Sequence, residues 1–130
     1  MALNFLQRLS GVATLTRAFV DAVKGTKARI LDTRKTTPGL RFLERQAVCA
    51  GGGMNHRMGL YDMVMVKDNH LAPGYDSAFL QQAIDKLKAE KPGIKIEFEA
   101  DCIEQVRQFL GLRGLDRILL DNMSVADLSK

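Results

Sequence analysis

The sequence predicts an α/β protein in which parallel strand–helix units follow an N-terminal helix. Apolar runs of strand length alternate along the chain with amphipathic segments at helical spacing. This alternation is typical of parallel sheets with right-handed crossovers. Polar residues also follow each predicted strand, and functional residues at successive strand ends are typical of barrels. The prediction is therefore half of a TIM-like α/β barrel, rather than an open doubly wound sheet, which fits the same alternation. A rearrangement toward a flatter, sandwich-like sheet accepts the same strand–helix units and stays an alternative.

Five segments are predicted to be helices from the spacing of apolar residues and from capping signals. Pro38 suits the first turn of the second helix, and the glycines at 51–53 suit its end. Ser124, with Asp127 three residues later, is typical of a helix N-cap. The predicted helices cover residues 3–23, 38–50, 79–88 and 103–112, and a fifth begins at Ser124.

Four apolar runs are predicted to be strands, at residues 28–31, 63–66, 94–99 and 117–120. In the third run, apolar residues at 94, 96 and 98 alternate with charged residues at 95, 97 and 99, which predicts one buried face. Glu97 and Glu99 then share the opposite face, which is either a barrel interior or a charged surface. A turn is predicted at residues 73 and 74.

Composition narrows the class of protein. The chain has 130 residues, of which 46% are hydrophobic and 26% charged, as in one ordinary globular domain. The net charge is +4, but basic and acidic residues are interleaved and aromatics make up only 6%, so no nucleic-acid partner is expected.

Arg8 and Arg17 interrupt the apolar start, so no membrane span is expected. Cys49 and Cys102 lack disulfide or metal spacing and predict a reduced, cytoplasmic protein with thiols in or near the core.

Basic residues concentrate between positions 32 and 70, next to strand ends or to the glycine run. Arg34 offers a planar fork to a carboxylate or phosphate, and Lys35 beside it offers a point charge. His56 and Arg57 supply further donors. We therefore predict an anion site, with a solvated basic loop as the alternative reading of the Arg34–Lys35 pair alone.

Lys67 follows four apolar residues, so its ammonium is predicted to face Asp68, Glu99 or an anionic ligand. Glu99 and Asp121 are expected at neighbouring strand ends. Two carboxylates at a cationic site suit Mg²⁺-diphosphate binding or stabilisation of a developing sugar cation, whereas simple charge neutralisation is the alternative. His56 and His70 are not spaced as a metal pair, so no histidine metal site is predicted.

Five colinear segments carry recognisable motifs: DTRKTTPGLR at 32–41, GGGMNHRMGLYD at 51–62, VKDNH at 66–70, IEFEAD at 96–101 and LLDNM at 119–123. These motifs resemble those of quinolinate phosphoribosyltransferase, the carboxylating nicotinate-nucleotide pyrophosphorylase of NAD biosynthesis. The resemblance runs over essentially the whole chain, and a molybdenum-transport relative shares much of the same scaffold.

The resemblance implies an α/β-barrel enzyme that converts quinolinate and phosphoribosyl pyrophosphate to nicotinate mononucleotide, pyrophosphate and CO₂, with Mg²⁺ on the diphosphate. By motif, Arg34, His56 and Arg57 would hold the quinolinate carboxylates. Lys35 and Lys67 would contact substrate as catalytic residues. Glu99 and Asp121 would serve the ribose or the Mg²⁺-diphosphate, and no protein-only metal site is implied.

The chain also departs from the family pattern. An N-terminal sandwich domain, an arginine ahead of the ALNFLQ segment and the later barrel strands are expected in the family and are absent from residues 1–130. The expectation is a single partial barrel domain that is an excised or engineered half-barrel, catalytically inactive and self-associating through open sheet edges. A complete active enzyme assembled with other chains and a small anion-binding module are the alternatives.

Overall fold

The computed structural model describes residues 1–59, 61–71 and 75–129. The chain divides into two compact units, Met1–Gly59 and Leu60–Lys130. The turn predicted at residues 73 and 74 lies outside the described residues. Among the described residues, no helix combines the length and apolar character needed to cross a membrane.

The first unit is built on two packed helices, α1 (Ala2–Ala22) and α2 (Arg41–Ala50). The strand predicted at residues 28–31 is wrong in extent, because in the described residues it contributes only one parallel bridge, between Leu31 and Met54. The Met54 amide donates to the Ile30 carbonyl at 2.8 Å, and the Asp32 amide donates to the Met54 carbonyl at 3.0 Å. A ladder needs a paired run on both sides, and the residues before Met54 are turning out of α2.

The glycine run ends α2 as predicted, and it also allows a close helix contact. Gly52 has φ +91°, its amide donates to the Cys49 carbonyl, and the Gly53 amide donates to the Val48 carbonyl. This is the Schellman arrangement, which favours glycine at the left-handed position. A Cβ at Gly51 would lie 2.8 Å from Thr16 Cβ, so α1 rests directly on the turn.

The second unit holds a three-stranded parallel sheet in the order β1 (Met63–Val66), β2 (Lys95–Ala100) and β3 (Arg117–Leu120). Val66 is paired with Phe98, and Ala100 with Leu120. The connections carry a short 3-10 helix (Asp68–His70), α3 (Ser77–Glu90) and α4 (Ile103–Leu110), and α5 (Val125–Leu128) follows β3. Parallel strands joined through helices confirm the predicted α/β class.

The core of the second unit lies between this sheet and its helices. Phe109 is fully buried, and its ring meets that of Phe98 edge to face, with centroids 5.2 Å apart. Offset and edge-to-face aromatic pairs add to the energy of burial. The buried members are Leu80, Ile84, Ile96, Phe98, Ala100, Phe109 and Leu112.

The two cysteines and the two glutamates of β2 differ in burial from simple expectation. Both cysteines are free, but both are exposed, so their placement in or near the core was wrong. Cys49 lies two residues from the buried Ala47 and therefore on another side of α2, and Cys102 is the N-cap residue of α4. Glu97 and Glu99 are both buried, so they do not form a solvated charged surface, whereas Lys95 on the same face is exposed. That this face lines a barrel interior stays a prediction.

The Asp116 carboxylate connects the start of β2 with a lysine of α3 and a lysine of β2. Its carboxylate accepts the Ile96 amide at 2.9 Å, the Lys88 ammonium at 2.6 Å and the Lys95 ammonium at 3.0 Å. Burial alone would raise the pKa of Asp116, but hydrogen bonds from Lys88, from the Ile96 amide and from Lys95 outweigh it and hold the pKa far below the ordinary 3.8.

Asp116→Asn is therefore expected to lower the free energy of unfolding at pH 7 by about 2 kcal/mol, because charge-assisted hydrogen bonds are lost. A lowered folded-state pKa stabilises above the unfolded pKa, so this contribution declines as pH falls below about 4. Urea unfolding of both proteins between pH 7 and pH 3 measures the difference. A difference that stays constant over that range would contradict the assignment, and Asp85→Asn on the exposed side of α3 is the control.

Candidate functional site

The carboxyl ends of β1, β2 and β3 bring together three of the predicted site residues. Lys67 follows β1, Glu99 lies near the end of β2, and Asp121 follows β3. The strands are parallel, so these positions meet at one edge of the sheet. The Asp121 amide also donates to the Ala100 carbonyl at 2.9 Å, which carries the register one residue beyond β3.

Lys67 and Glu99 form an ion pair with 2.7 Å between Nζ and Oε2. The Glu99 side chain is buried, but that of Lys67 is 43% exposed. Of the predicted partners for Lys67, Glu99 is therefore the one observed; the side chain of Asp68 lies outside the described residues. An exposed ammonium over a buried carboxylate can also contact an anion from solvent.

Glu99, Asp101 and Asp121 bring one carboxylate oxygen each to within 4.8 Å of one another. Glu99 is buried, Asp101 is exposed and Asp121 is half-buried. Three oxygen donors suit a hard divalent cation such as Mg²⁺, which keeps part of its water shell. The residues present therefore fit Mg²⁺, with Lys67 as a competing positive charge on Glu99.

The second cluster lies in the first unit, just past the Leu31–Met54 bridge. The bridge is parallel, so residues 32–35 and 55–57 leave it in the same direction. The carboxylate of Asp32 pairs with Arg45 at 2.9 Å and accepts the His56 amide at 2.7 Å. Arg45 in turn donates to the Arg57 carbonyl at 2.9 Å.

The four predicted anion-binding residues of this unit differ in exposure. Lys35 is exposed, Arg34 and His56 are half-buried and Arg57 is buried. The Arg34 carbonyl accepts from Arg41, and the Lys35 amide donates to the Thr33 hydroxyl at 3.2 Å, so the segment is a folded turn. The structure thus joins these residues within one unit and Lys67, Glu99 and Asp121 within the other. That all of them share one rim stays a prediction.

Two residues at these clusters were not singled out from the sequence. Asp101 was visible only as part of the polar end of β2, although its position after the strand carries the same signal as Asp121. Arg45 gave no signal, because an arginine within an amphipathic helix is usually solvated, whereas here it is buried beside Asp32.

The described residues define a parallel α/β protein with ammonium and carboxylate groups at its strand ends. The chain belongs to the quinolinate phosphoribosyl transferase family, since the model of that family's C-terminal domain matches residues 12–130. The family resemblance of the five motifs is thereby confirmed.

Relatives from plants and bacteria agree with this assignment. A quinolinate phosphoribosyltransferase [decarboxylating] 2b, mitochondrial, from Nicotiana tabacum is 47% identical over 96% of this chain and 37% of its own length. A nicotinate-nucleotide pyrophosphorylase [carboxylating] from Mycobacterium leprae is 47% identical over 95% of this chain and 42% of its own. The chain thus spans about two fifths of these relatives.

Solved structures show the same fold. The nicotinate-nucleotide pyrophosphorylase from Ehrlichia chaffeensis has a TM-score of 0.83 and 47% identity, covering 97% of this chain and 44% of that one. NadC from Streptococcus pyogenes has a TM-score of 0.81 and 43% identity, covering 98% and 44%. The predicted fold class is confirmed by this likeness.

Proposed function

We propose that this chain supplies the strand-end part of a quinolinate phosphoribosyltransferase site, which forms nicotinate mononucleotide, pyrophosphate and CO₂ from quinolinate and phosphoribosyl pyrophosphate. The observation that carries the proposal is the Lys67–Glu99 pair beside the Asp101 and Asp121 carboxylates at one sheet edge. A dicarboxylate and a diphosphate need cations, and a sugar that becomes cation-like needs nearby anions.

Each residue then has a role in the proposed reaction. Arg34, His56 and Arg57 hold the two carboxylates of quinolinate, and Lys35 contacts substrate beside them. Lys67 offers its exposed ammonium to substrate while it keeps the buried Glu99 paired.

Glu99 and Asp121 face the ribose, where positive charge develops as the bond to diphosphate breaks and the bond to the pyridine nitrogen forms. When bound, Mg²⁺ neutralises charge on the departing diphosphate. Asp101, Asp121 and Glu99 are the residues of this chain that would hold it. CO₂ then leaves from the carboxylate next to that nitrogen, the electron pair of the broken bond stays on the ring carbon, and that carbon takes up a proton.

The proposed domain is one partial barrel over residues 1–130, and we propose that the isolated chain binds these ligands without turnover. The relatives whose names state the activity are more than twice as long as this chain. The proposed compartment is the cytoplasm, with the two free thiols as support.

Pyrophosphate release from quinolinate and phosphoribosyl pyrophosphate tests the catalytic part. Release above buffer by the purified chain would overturn the proposal that it lacks turnover. Calorimetric titration with quinolinate tests the binding part, and a chain that binds succinate or inorganic phosphate equally well would favour the simple anion-binding module.

Lys67→Ala is expected to weaken quinolinate or phosphate binding by about tenfold, because a charge-assisted contact is lost and Glu99 is left buried without this ammonium. Calorimetric titration gives the two dissociation constants. Lys86→Ala is the matched control, since Lys86 is an exposed lysine of α3 with only a long 4.0 Å pair to Glu90. Unchanged affinity in Lys67→Ala would remove Lys67 from the ligand contacts.

Self-association through the sheet edge is also proposed. β3 is an edge strand of the three-stranded sheet, and Leu119 and Leu120 on it are partly exposed. Leu119→Lys is expected to shift the chain toward monomer in sedimentation at micromolar concentration, whereas Leu110→Lys, at a 72% exposed position of α4, should not. A wild-type chain that sediments only as a monomer would contradict the proposal.

A further inference from the structure

We propose that Asp32 and Arg45 are positioning residues that set His56 and Arg57 in place for a dicarboxylate ligand. The inference rests on the proposed function for the identity of that ligand, quinolinate. It adds two residues to which neither the motif resemblance nor the proposed mechanism gives a role.

The pair is buried and closely held. Arg45 Nη1 lies 2.9 Å from Asp32 Oδ2, and their side chains are 7% and 4% exposed. Each group uses its charged atoms on protein partners. These contacts lead to the segment that carries the proposed ligand residues.

Three consecutive residues of that segment are tied to the pair. The His56 amide donates to Asp32 Oδ1 at 2.7 Å, and the Arg57 carbonyl accepts from Arg45 Nη1 at 2.9 Å. In the amide orientation that satisfies its hydrogen bonds, Asn55 donates to Asp32 Oδ2 at 2.6 Å and to the Arg45 carbonyl at 3.2 Å. The backbone of His56 and Arg57 and the side chain of Asn55 are therefore held by one ion pair.

The same carboxylate belongs to the segment that carries Arg34 and Lys35. Asp32 lies next to the Leu31–Met54 bridge, and its own amide donates to the Met54 carbonyl at 3.0 Å. The pair thus fixes the distance between the residues before Lys35 and those after Met54. Two carboxylates on one aromatic ring need donors at a set spacing, so a change in this spacing weakens dicarboxylate binding.

One nitrogen of Arg45 makes both of its contacts, which gives a specific test. Nη1 serves Asp32 and Arg57, while Nε is buried and without a hydrogen-bond partner. A lysine ammonium is also a single nitrogen with three donors, so Arg45→Lys can keep both contacts. Arg45→Met has a similar stem and can keep neither.

The experiment measures two quantities on the full chain, the amide hydrogen exchange rate of His56 and the dissociation constant for quinolinate. In Arg45→Met both are expected to rise by about tenfold, and in Arg45→Lys both return to within about threefold of wild type. In an Arg57→Ala background, Arg45→Met is expected to raise the dissociation constant by a smaller factor than it does in the wild-type background, because part of its effect runs through Arg57.

Lys88→Met controls for general loss of stability, since it removes one ammonium from Asp116 in the second unit. Should Arg45→Met fail to fold, Asp32→Asn carries the same comparison, because it removes the charge but keeps an acceptor for the His56 amide. Equal losses in Arg45→Lys and Arg45→Met, or full additivity with Arg57→Ala, would overturn the positioning role. A wild-type chain that binds no quinolinate would contradict the proposed function instead. The positioning role would then be tested only by the amide exchange rate of His56 in the Arg45 variants.

Discussion

Phe109→Ala is expected to lower the free energy of unfolding of the second unit by about 3–5 kcal/mol. The side chain is fully buried, and its ring is the edge-to-face partner of Phe98. Truncation leaves a cavity between α4 and the sheet, and removes both the transfer energy of the ring and the aromatic contact. Urea unfolding followed by far-ultraviolet circular dichroism measures the loss.

Phe79→Ala is the matched control, because Phe79 is also on a helix but is 63% exposed. Its expected effect is about 0.5 kcal/mol. A loss in Phe109→Ala no larger than in Phe79→Ala would show that the packing of α4 on β2 and β3 does not limit stability.

Asp121→Asn is expected to weaken Mg²⁺ binding on the order of 100-fold when phosphoribosyl pyrophosphate is present, equivalent to about 2.7 kcal/mol. The substitution removes one of three clustered carboxylates and one negative charge, while the backbone bond from residue 121 to Ala100 remains. Calorimetric titration with Mg²⁺ gives the affinity.

Asp85→Asn controls for net charge, since Asp85 is an exposed carboxylate on α3. Equal Mg²⁺ affinity in Asp121→Asn and wild type would remove Asp121 from the proposed ligands. A loss that appears without phosphoribosyl pyrophosphate as well would show that the carboxylates bind Mg²⁺ by themselves.

The spacing of apolar residues predicted most elements of the second unit. Helices α3 and α4 there each bury one apolar stripe, and β1 and β3 are short, mainly apolar runs. The helix predicted at 79–88 is Ser77–Glu90, capped by Asp76, whose side chain accepts the Phe79 amide. Ser124 caps the last helix as predicted, through the Asp127 amide. Local signals suffice where local contacts decide the structure.

The sequence was less informative where tertiary contacts decide. Alternation in β2 predicted one buried face, but Glu97 and Glu99 are buried as well, since ionic partners can offset the cost of burying charge. Residues 28–31 have strand composition but find only one paired residue, Met54. The partner of Asp32 is thirteen residues away on a helix, which no motif or period indicates.

At the candidate site, the polar residues that follow the predicted strands indicated that Lys67, Glu99 and Asp121 lie at one edge of the sheet. Asp101 follows the same rule and joins them. The exposure of Arg34, Lys35, His56 and Arg57 was not predictable, because it depends on the fold of two loops around one bridge.

The glycine turn at residues 51–53, which follows α2, limits how this chain can be redesigned. Since not even a methyl group fits between Gly51 and Thr16, α1 packs tightly on the turn that leads to Asn55, His56 and Arg57. Shortening or replacing that helix would therefore disturb proposed ligand residues that it does not itself carry. An engineered version should keep Gly51 and Thr16 when the residues of the following loop are changed.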